Sequence, residues 1–347
     1  MAILSNSNPT LLDLAARFGP DGKVMTNIAE LLSQTNEVLQ DMVMVECNSG
    51  QEHKGIIRTG LPKIYWRKYN QGVPSSKSTT APITATCAMM EHYFQIDKDL
   101  VEINSNKEAF LASEESSVVE AMGQEQVNTL FYGSKREADK YVGFAETYSS
   151  LAAGNGANIL DGGGAANANT SIYLISWGEN SVFGLYPKGS TAGLKREFLG
   201  EVTNTEVDGT QTLMHQVLRT RHSWKNGLMI KDWRHVVRIA NLDTAVFAGM
   251  TGTQSPKVAD VNYATNIVHL MARAIDRIPS LRSGRLAFYA NRSVLSLLRR
   301  MAMERNIYAV TMEAGLNAFG QKISNISFSG IPVRMVDALK NNETRVV

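Results

Sequence analysis

Residues 58–80 read RTGLPKIYWRKYNQGVPSSKSTT. The stretch carries Arg58, Lys63, Arg67, Lys68 and Lys77 and not one carboxylate. It interleaves Tyr65, Trp66 and Tyr69 with the turn formers Gly60, Pro62, Gly72 and Pro74. Strand-like runs flank it, Gly55–Arg58 before and Ile83–Met89 after, so it reads as a long hairpin arm. It is too polar to sit in a core of its own, and an unpaired hairpin is at best marginally stable in water. The arm needs a surface to lie on, and the rest of the chain must say whether that surface is nucleic acid or protein.

The chain has 347 residues, 44% hydrophobic and 20% charged. That is enough to bury a sizeable core in two or more lobes, and the composition is that of a globular protein. Nothing approaches the roughly 18 consecutive apolar residues of a membrane span. The start, MAILSNSNPTLLDL, has no basic n-region, so we expect no signal peptide and action in a cytoplasm or in something assembled there. Cys47 and Cys87 form no CxxC, and we expect reduced, half-buried thiols; they flank the arm, and if it is a hairpin they could face each other across its base.

Formal net charge is +2, too small for a global field that would draw nucleic acid. The distribution says more. The segment after the arm holds Asp97, Asp99, Glu102, Glu108, Glu114, Glu115, Glu120 and Glu125 against only Lys98 and Lys107. A basic segment followed by an acidic one suits head-to-tail contact between copies. Two ordinary solvated faces would give the same pattern.

Along the chain, Asn8-Pro9 starts a short helix that Gly19-Pro20 ends. Val24, Ile28, Leu31, Leu32, Val38, Leu39 and Met42 predict a second helix, Val24–Met42. Tyr93–Ile96 reads as a strand end, with Asp97 capping a helical turn. Ser105 and Glu108 form a capping box for the longest helix, which runs to Tyr132 with Gly133 as its stop. Its buried side is expected to be Leu111, Val118, Val119, Met122, Val127, Leu130 and Phe131. LDGGGAANANTS, residues 160–171, lacks the P-loop and dinucleotide spacings and reads as a flexible surface loop. Ser171–Trp177 and Ser181–Tyr186 are strands. Lys225-Asn226-Gly227 predicts a hairpin between His215–Trp224 and Leu228–Ile239. A helix over Asp260–Ile278, a strand Leu286–Ala290, a helix from Arg292 to about Glu304 capped by Asn291, and strands Ile326–Phe328 and Ile331–Val336 complete an α+β chain.

Every enzyme signature sought fails: no GxSxG, HExxH, GxxxxGK[ST] or CxxC occurs. His215, His222 and His235 share the expected hairpin, but solvent-facing strand histidines are commoner than a metal site. We expect no catalytic residue, no metal and no cofactor. The Arg292, Arg299, Arg300 and Arg305 face is read first as solvated. The aromatic and basic arm, residues 58–80, has the composition that stacks on single-stranded bases, although the near-zero net charge weighs against that as its main task.

Several stretches together resemble the major capsid proteins of tailed bacteriophages with the HK97-like fold. More narrowly, they resemble the coat-protein family of Bordetella-type short-tailed phages. They are NPTLLDLAARFGPDGKV, RTGLPKIYWRKYNQGVPSSKS, TLFYG, SIYLISWGENSVFGLYPKGSTAGL, DWRHVVRIANLD, LAFYANRSVLSLLRR and GIPVRMVDA, in that order from about residue 8 to the C-terminus.

The resemblance implies an N-arm over residues 1–48 and an extended E-loop over 49–90. It implies a peripheral (P) domain over 91–150 with spine helix 105–132, and a loop-rich β region over 151–250 with hairpin 215–239. An axial (A) domain-like region would cover 251–347. The implied function is structural: self-assembly as pentamers and hexamers into an icosahedral virion shell around double-stranded DNA, held without sequence specificity. The implied place of assembly is the host bacterial cytoplasm, with no membrane. A scaffolding and a cement protein are further implied partners. Some relatives crosslink Lys to Asn between subunits; Lys63, Lys68 and Lys77 offer amines, but nothing marks a partner Asn or a catalytic Glu, so no crosslinking is expected. The expected intersubunit contact sets Arg58, Lys63, Trp66, Arg67, Lys68 and Lys77 against Glu108, Glu114 and Glu115. The alternatives are a nucleic-acid-binding protein using the arm and an α+β enzyme with an unread site.

Overall fold

The computed structural model describes residues 34–102, 107–164, 167–208, 211–244, 258–303, 310–316 and 322–347. The expected helix after Asn8-Pro9, the span 24–33 and the Ser105 cap lie outside them. In chain order the elements are α1 (Val38–Asp41), β1 (Met44–Glu46), β2 (Glu52–Gly60), β3 (Thr79–Thr86), β4 (Ala88–Asp97), α2 (Lys98–Glu102) and α3 (Lys107–Tyr132). Then follow α4 (Phe144–Thr147), β5 (Ile159–Asp161), β6 (Asn169–Trp177), β7 (Val182–Tyr186), β8 (Leu194–Asp208), β9 (Gln211–Ile230) and β10 (Val236–Asp243). The last are α5 (Val258–Arg277), β11 (Arg285–Ala290), α6 (Arg292–Met303), β12 (Val310–Leu316), β13 (Lys322–Phe328) and β14 (Ile331–Met335). No described helix is long and apolar enough to cross a membrane.

The chain divides into two compact units. One comprises residues 35–88, 127–191 and 226–347, the other 1–34, 89–126 and 192–225.

In the larger unit β6 is the centre. Every one of its residues is buried, and it pairs antiparallel with both β10 and β11. Side chains alternate across a strand. Ile172 and Leu174 therefore join a core with α5 and α6 (Ile267, Met271, Val294, Leu298), while Tyr173, Ile175 and Trp177 enter a second core on the opposite face. β11 alternates the same way: Phe288 and Ala290 face the first core, Ala287 and Tyr289 the second. Both faces are covered, which is why SIYLISW and LAFYA read as unbroken apolar runs. The second core stacks Phe131, Phe144, Tyr173 and Trp177 with ring centroids 5.1 to 6.1 Å apart. Trp177 Nε1 donates to Tyr289 Oη (2.8 Å), whose hydroxyl donates to Asp41 (2.9 Å), so both polar tips are satisfied.

In the smaller unit β8 and β9 form a long antiparallel hairpin, from Leu194↔Trp224 to Asp208↔Gln211. A bulge at Phe198/Gly200 places Gly200 at φ +79°, which only glycine adopts without strain. Phe94, Ile96, Leu100, Val101 and Phe110 make its core, with Leu111, Val118 and Leu218 packed against them.

Four sequence expectations need correction. β9 runs straight through Asn226-Gly227, so the hairpin between 215 and 239 does not exist; its second arm is the end of β9, a short 3₁₀ turn at Trp233–His235, and β10. Gly227 is there for close approach. A Cβ on it would sit 2.7 Å from the Thr86 carbonyl oxygen and 3.2 Å from Cys87 Cα. The stretch around Asp161-Gly162-Gly163-Gly164 is pinned rather than loose: Gly162 and Gly164 N–H groups donate to the Ala240 and Asn241 carbonyls, each at 2.8 Å. Val119, placed on the buried side of the long helix, is exposed, whereas Val127, Leu130 and Phe131 are fully buried. Only Val38–Asp41 of the described part of the second N-terminal helix is helical, because Asn36 bridges Val336 in extended conformation instead. The other expected strands and helices from Ser171 to Val336 form within a few residues of their expected bounds, and Asn291 Oδ1 caps α6 through the Ser293 N–H (3.0 Å).

Candidate assembly interface

The arm is β2 and β3, paired from Glu52↔Thr86 to Gly60↔Thr79 as a sheet of two strands. A backbone clamp sits near its start: Asn48 Nδ2 donates to the Lys54 carbonyl (2.7 Å) and Asn48 Oδ1 accepts from the Lys54 N–H (2.9 Å). At its root the Cys47 and Cys87 sulfurs lie 3.4 Å apart, and Cys47 is buried while Cys87 is half-buried. Gly55 fits under Met229, and the His53 ring meets Phe183 edge-on at 5.5 Å.

Beyond Gly60 the chain leaves regular structure, and every residue from 61 to 77 is exposed. Internal ties are few: Ser76 Oγ donates to the Lys63 carbonyl (2.7 Å), and Lys63 Nζ stands 5.1 Å over the Tyr65 ring. A turn at Tyr69-Asn70 puts Asn70 at φ +63°, a left-handed conformation that asparagine tolerates. Trp66 is 102% exposed and Tyr69 98%, with Leu61 and Ile64 near 80%. Arg58, Lys63, Arg67, Lys68 and Lys77 have no ion-pair partner among the described residues. Contiguous apolar groups in water next to unpaired cations mark an interaction surface.

The acidic counterpart is more differentiated than the sequence suggested. Glu115 is 7% exposed and receives both prongs of the Arg196 guanidinium, at 2.6 and 2.9 Å, plus the Thr220 hydroxyl at 2.9 Å. Burial pushes its carboxyl up, but the Arg196 and Thr220 hydrogen bonds outweigh that and hold it below the ordinary range. Glu115 is thus engaged inside its own chain. Sequence reasoning missed Arg196 because 194–208 carried no recognised strand signal. Glu120 accepts from the Gln34 N–H (2.9 Å) and from Gln124 (2.8 Å), while Glu108 is exposed. On the same unit Met90, His92, Val118, Met122 and Glu125 line a groove of about 360 Å³, and Met89, Tyr93 and Val119 are exposed.

One polar constellation has the look of chemistry. Arg238, buried in the larger unit, donates to Glu343 (2.9 Å), Ser171 (3.1 Å), the Tyr148 carbonyl (2.8 Å) and the Ala145 carbonyl (3.2 Å). Glu343 also accepts from Ser171 and from the Tyr132 hydroxyl. It borders a cleft of about 350 Å³ lined by Glu146, Lys340 and Arg345. All three guanidinium nitrogens and both carboxylate oxygens are taken, so the set ties β6, β10 and the segment after Lys340 together and leaves no group poised to react. Among the described residues no group of three His, Cys, Asp or Glu is placed to hold a metal. His222 and His215 lie on β9 and His235 on the 3₁₀ turn.

A family model described as major capsid protein GP7 matches residues 19–347. A chain in the cryo-EM structure of bacteriophage Epsilon15 is 27% identical, with a TM-score of 0.72, over 100% of this chain and 99% of that one. Weaker likenesses include a Mycobacterium phage Cain structure and an encapsulin. The first is 13% identical at TM-score 0.39, over 59% of this chain and 88% of that one. The second, the SrpI encapsulin of Synechococcus elongatus, is 12% identical at TM-score 0.43, over 71% and 98%. No curated protein matches the chain.

Proposed function

This chain belongs to the major capsid protein GP7 family, and from that premise we propose that each copy clasps the next with its arm as pentamers and hexamers close an icosahedral shell. The coarser statement is settled: it is a structural protein of a tailed-phage capsid, with the HK97-like fold, and it associates with its own copies there. The narrower kinship with coat proteins of Bordetella-type short-tailed phages is our proposal, resting on the ordered motifs.

One observation carries the clasp. The arm's end presents Trp66 and Tyr69, fully exposed, among cations and with no carboxylate. We assign Arg58, Lys63, Trp66, Arg67, Lys68 and Lys77 to contact with the acidic, partly apolar side of a neighbour's long helix, around Glu108 and Glu114. Glu115, the third expected partner, is already held by Arg196. We further assign residues 49–90 to the E-loop, 91–150 with the long helix to the P domain, and 251–347 to an A-domain-like region. Double-stranded DNA held inside without sequence specificity, scaffolding and cement partners, assembly in the host cytoplasm and the lack of catalysis complete the proposal.

The test is charge reversal. Arg67→Glu with Lys68→Glu should slow the appearance of regular particles, followed by light scattering and negative-stain microscopy, and Glu108→Lys with Glu114→Lys should restore the rate. An assembled structure with both cations more than about 8 Å, one Debye length, from every neighbouring carboxylate would refute the pairing. The exposed aromatic and basic tip also fits single-stranded nucleic acid. Steeply salt-dependent DNA binding by the isolated subunit, lost in Trp66→Ala, would favour that reading.

A further inference from the structure

Cys47 follows β1, and Cys87 lies between β3 and β4, so the two thiols bracket the arm 40 residues apart in sequence. Their sulfurs are 3.4 Å apart. Both backbones are fixed: the Cys47 N–H donates to the Tyr186 carbonyl (2.9 Å) and the Cys87 N–H to the Gln51 carbonyl (2.8 Å). The close approach at Gly227 seats Cys87 further. A disulfide needs the sulfurs at about 2.05 Å. The sulfurs therefore have to close by about 1.4 Å. Phe183, Leu185 and Met229 pack around Cys47, which is buried, while Cys87 is half-buried.

We propose that Cys47 and Cys87 are an oxidation site at which a small peroxide staples the root of the arm with an intrachain disulfide. The half-exposed Cys87 thiolate attacks the peroxide; the O–O bond breaks, a sulfenic acid forms, and the leaving hydroxide takes up a proton to become water. The Cys47 thiolate then attacks the sulfenic sulfur. The S–S bond forms, the S–O bond breaks, and that hydroxide leaves as a second water. The pair gives up two electrons and one peroxide becomes two waters. The apolar wall around Cys47 disfavours a bulky disulfide as oxidant and favours a small one. Burial, and the neighbouring Cys47, push the Cys87 thiol up to about 12, and burial also raises Cys47. The thiolate is therefore scarce at neutral pH, and stapling quickens about tenfold per pH unit between roughly pH 7 and 9. The staple would tie both ends of the arm to the body and leave its exposed tip unchanged. It stands independently of what the tip binds.

The test treats the purified full chain with hydrogen peroxide at pH 8, followed by intact mass, non-reducing gels and peptide mapping. The expected result is a loss of about 2 Da for two hydrogens, one peptide joining Cys47 to Cys87, monomeric migration, and reversal by reductant. Cys87→Ser should give no joined peptide under the same treatment. Three results would overturn the proposal. One is a gain of about 32 Da from sulfinic acid without a link. The second is a disulfide between chains. The third is two free thiols under conditions that oxidise both in the denatured chain.

Discussion

Trp66→Ala separates assembly from folding more sharply than any other substitution in the arm. The indole is 102% exposed and touches no core, so truncation should leave the stability of the isolated subunit within about 0.5 kcal/mol. Against a neighbour, a tryptophan can bury about 200 Å². At about 25 cal/mol per Å² that sets a ceiling near 5 kcal/mol for each contact. Ordering the side chain and imperfect packing reduce it, and central interface aromatics typically cost about 2–3 kcal/mol when truncated. On the proposed clasp each subunit gives one arm and receives one, so the loss counts once per subunit. At about 1.4 kcal/mol per decade, the concentration needed for assembly should rise about 30- to 140-fold. Light scattering and size-exclusion chromatography over a concentration series read that threshold. A threshold unchanged within about threefold would refute the clasp, and a lowered unfolding midpoint of the free subunit would show that Trp66 serves the fold instead.

Other expectations concern the subunit itself. Glu343→Ala strands the buried Arg238 guanidinium and should cost about 3–5 kcal/mol in urea unfolding, while Arg238→Met with Glu343→Leu should recover most of it. Gly227→Ala places a methyl 2.7 Å from the Thr86 oxygen and should cost about 1–3 kcal/mol, read as a lower midpoint by circular dichroism. His222 is buried with neither ring nitrogen hydrogen-bonded, and burial lowers its pKa from the ordinary 6.5, against the pull of Glu115. Its folded pKa lies below its unfolded one. Stability is therefore full above about pH 6.5 and falls as pH drops through and below it, and His222→Leu should flatten that limb of a stability-versus-pH curve. Glu115 has the carboxylate counterpart: its stabilisation, present above the ordinary range, should fade as pH falls through its lowered pKa, and Glu115→Gln should remove that acid limb.

Much of the fold was legible where local pattern and tertiary burial agree. The β6 and β11 runs are mostly apolar because both faces are covered, and the α6 cap is a single local hydrogen bond to Asn291. Two of the misreadings share a cause: glycine has two uses, and sequence does not say which one applies. At 226–227 the turn signal was genuine chemistry, yet Gly227 lets the end of the arm's strand press against β9. Gly133 does end the long helix, but for room rather than left-handed geometry. A Cβ there would lie 2.2 Å from the Tyr141 oxygen, and its φ is not positive. The Asp161–Gly164 run fails as a free loop for the same reason, since its N–H groups find carbonyls on β10. At the interface, the arm and its cations were readable because its own segment holds no carboxylate and no ion pair reaches them among the described residues. The loss of Glu115 to Arg196 was not, because it depends on a side-chain contact between a helix and a strand 81 positions apart in sequence.

The two kinds of charge in this subunit therefore do different work. Carboxylates that fold the chain are buried and matched: Glu343 by Arg238, Glu115 by Arg196, Asp41 by Tyr289 and Arg334. Matched buried charges resist rearrangement, since breaking any pair leaves its partner stranded. The arm's cations have no such match among the described residues and sit in water, where each pair formed later is worth at most about 1 kcal/mol. Weak pairs of that kind can form, slip and re-form while subunits find register, whereas a buried pair at the same place would lock early errors in. The apolar tip supplies strength once register is right, because burying Trp66 and Tyr69 is not directional. On this division, moving charge in the arm should change the rate and salt dependence of assembly more than the stability of finished particles, and truncating Trp66 should do the reverse.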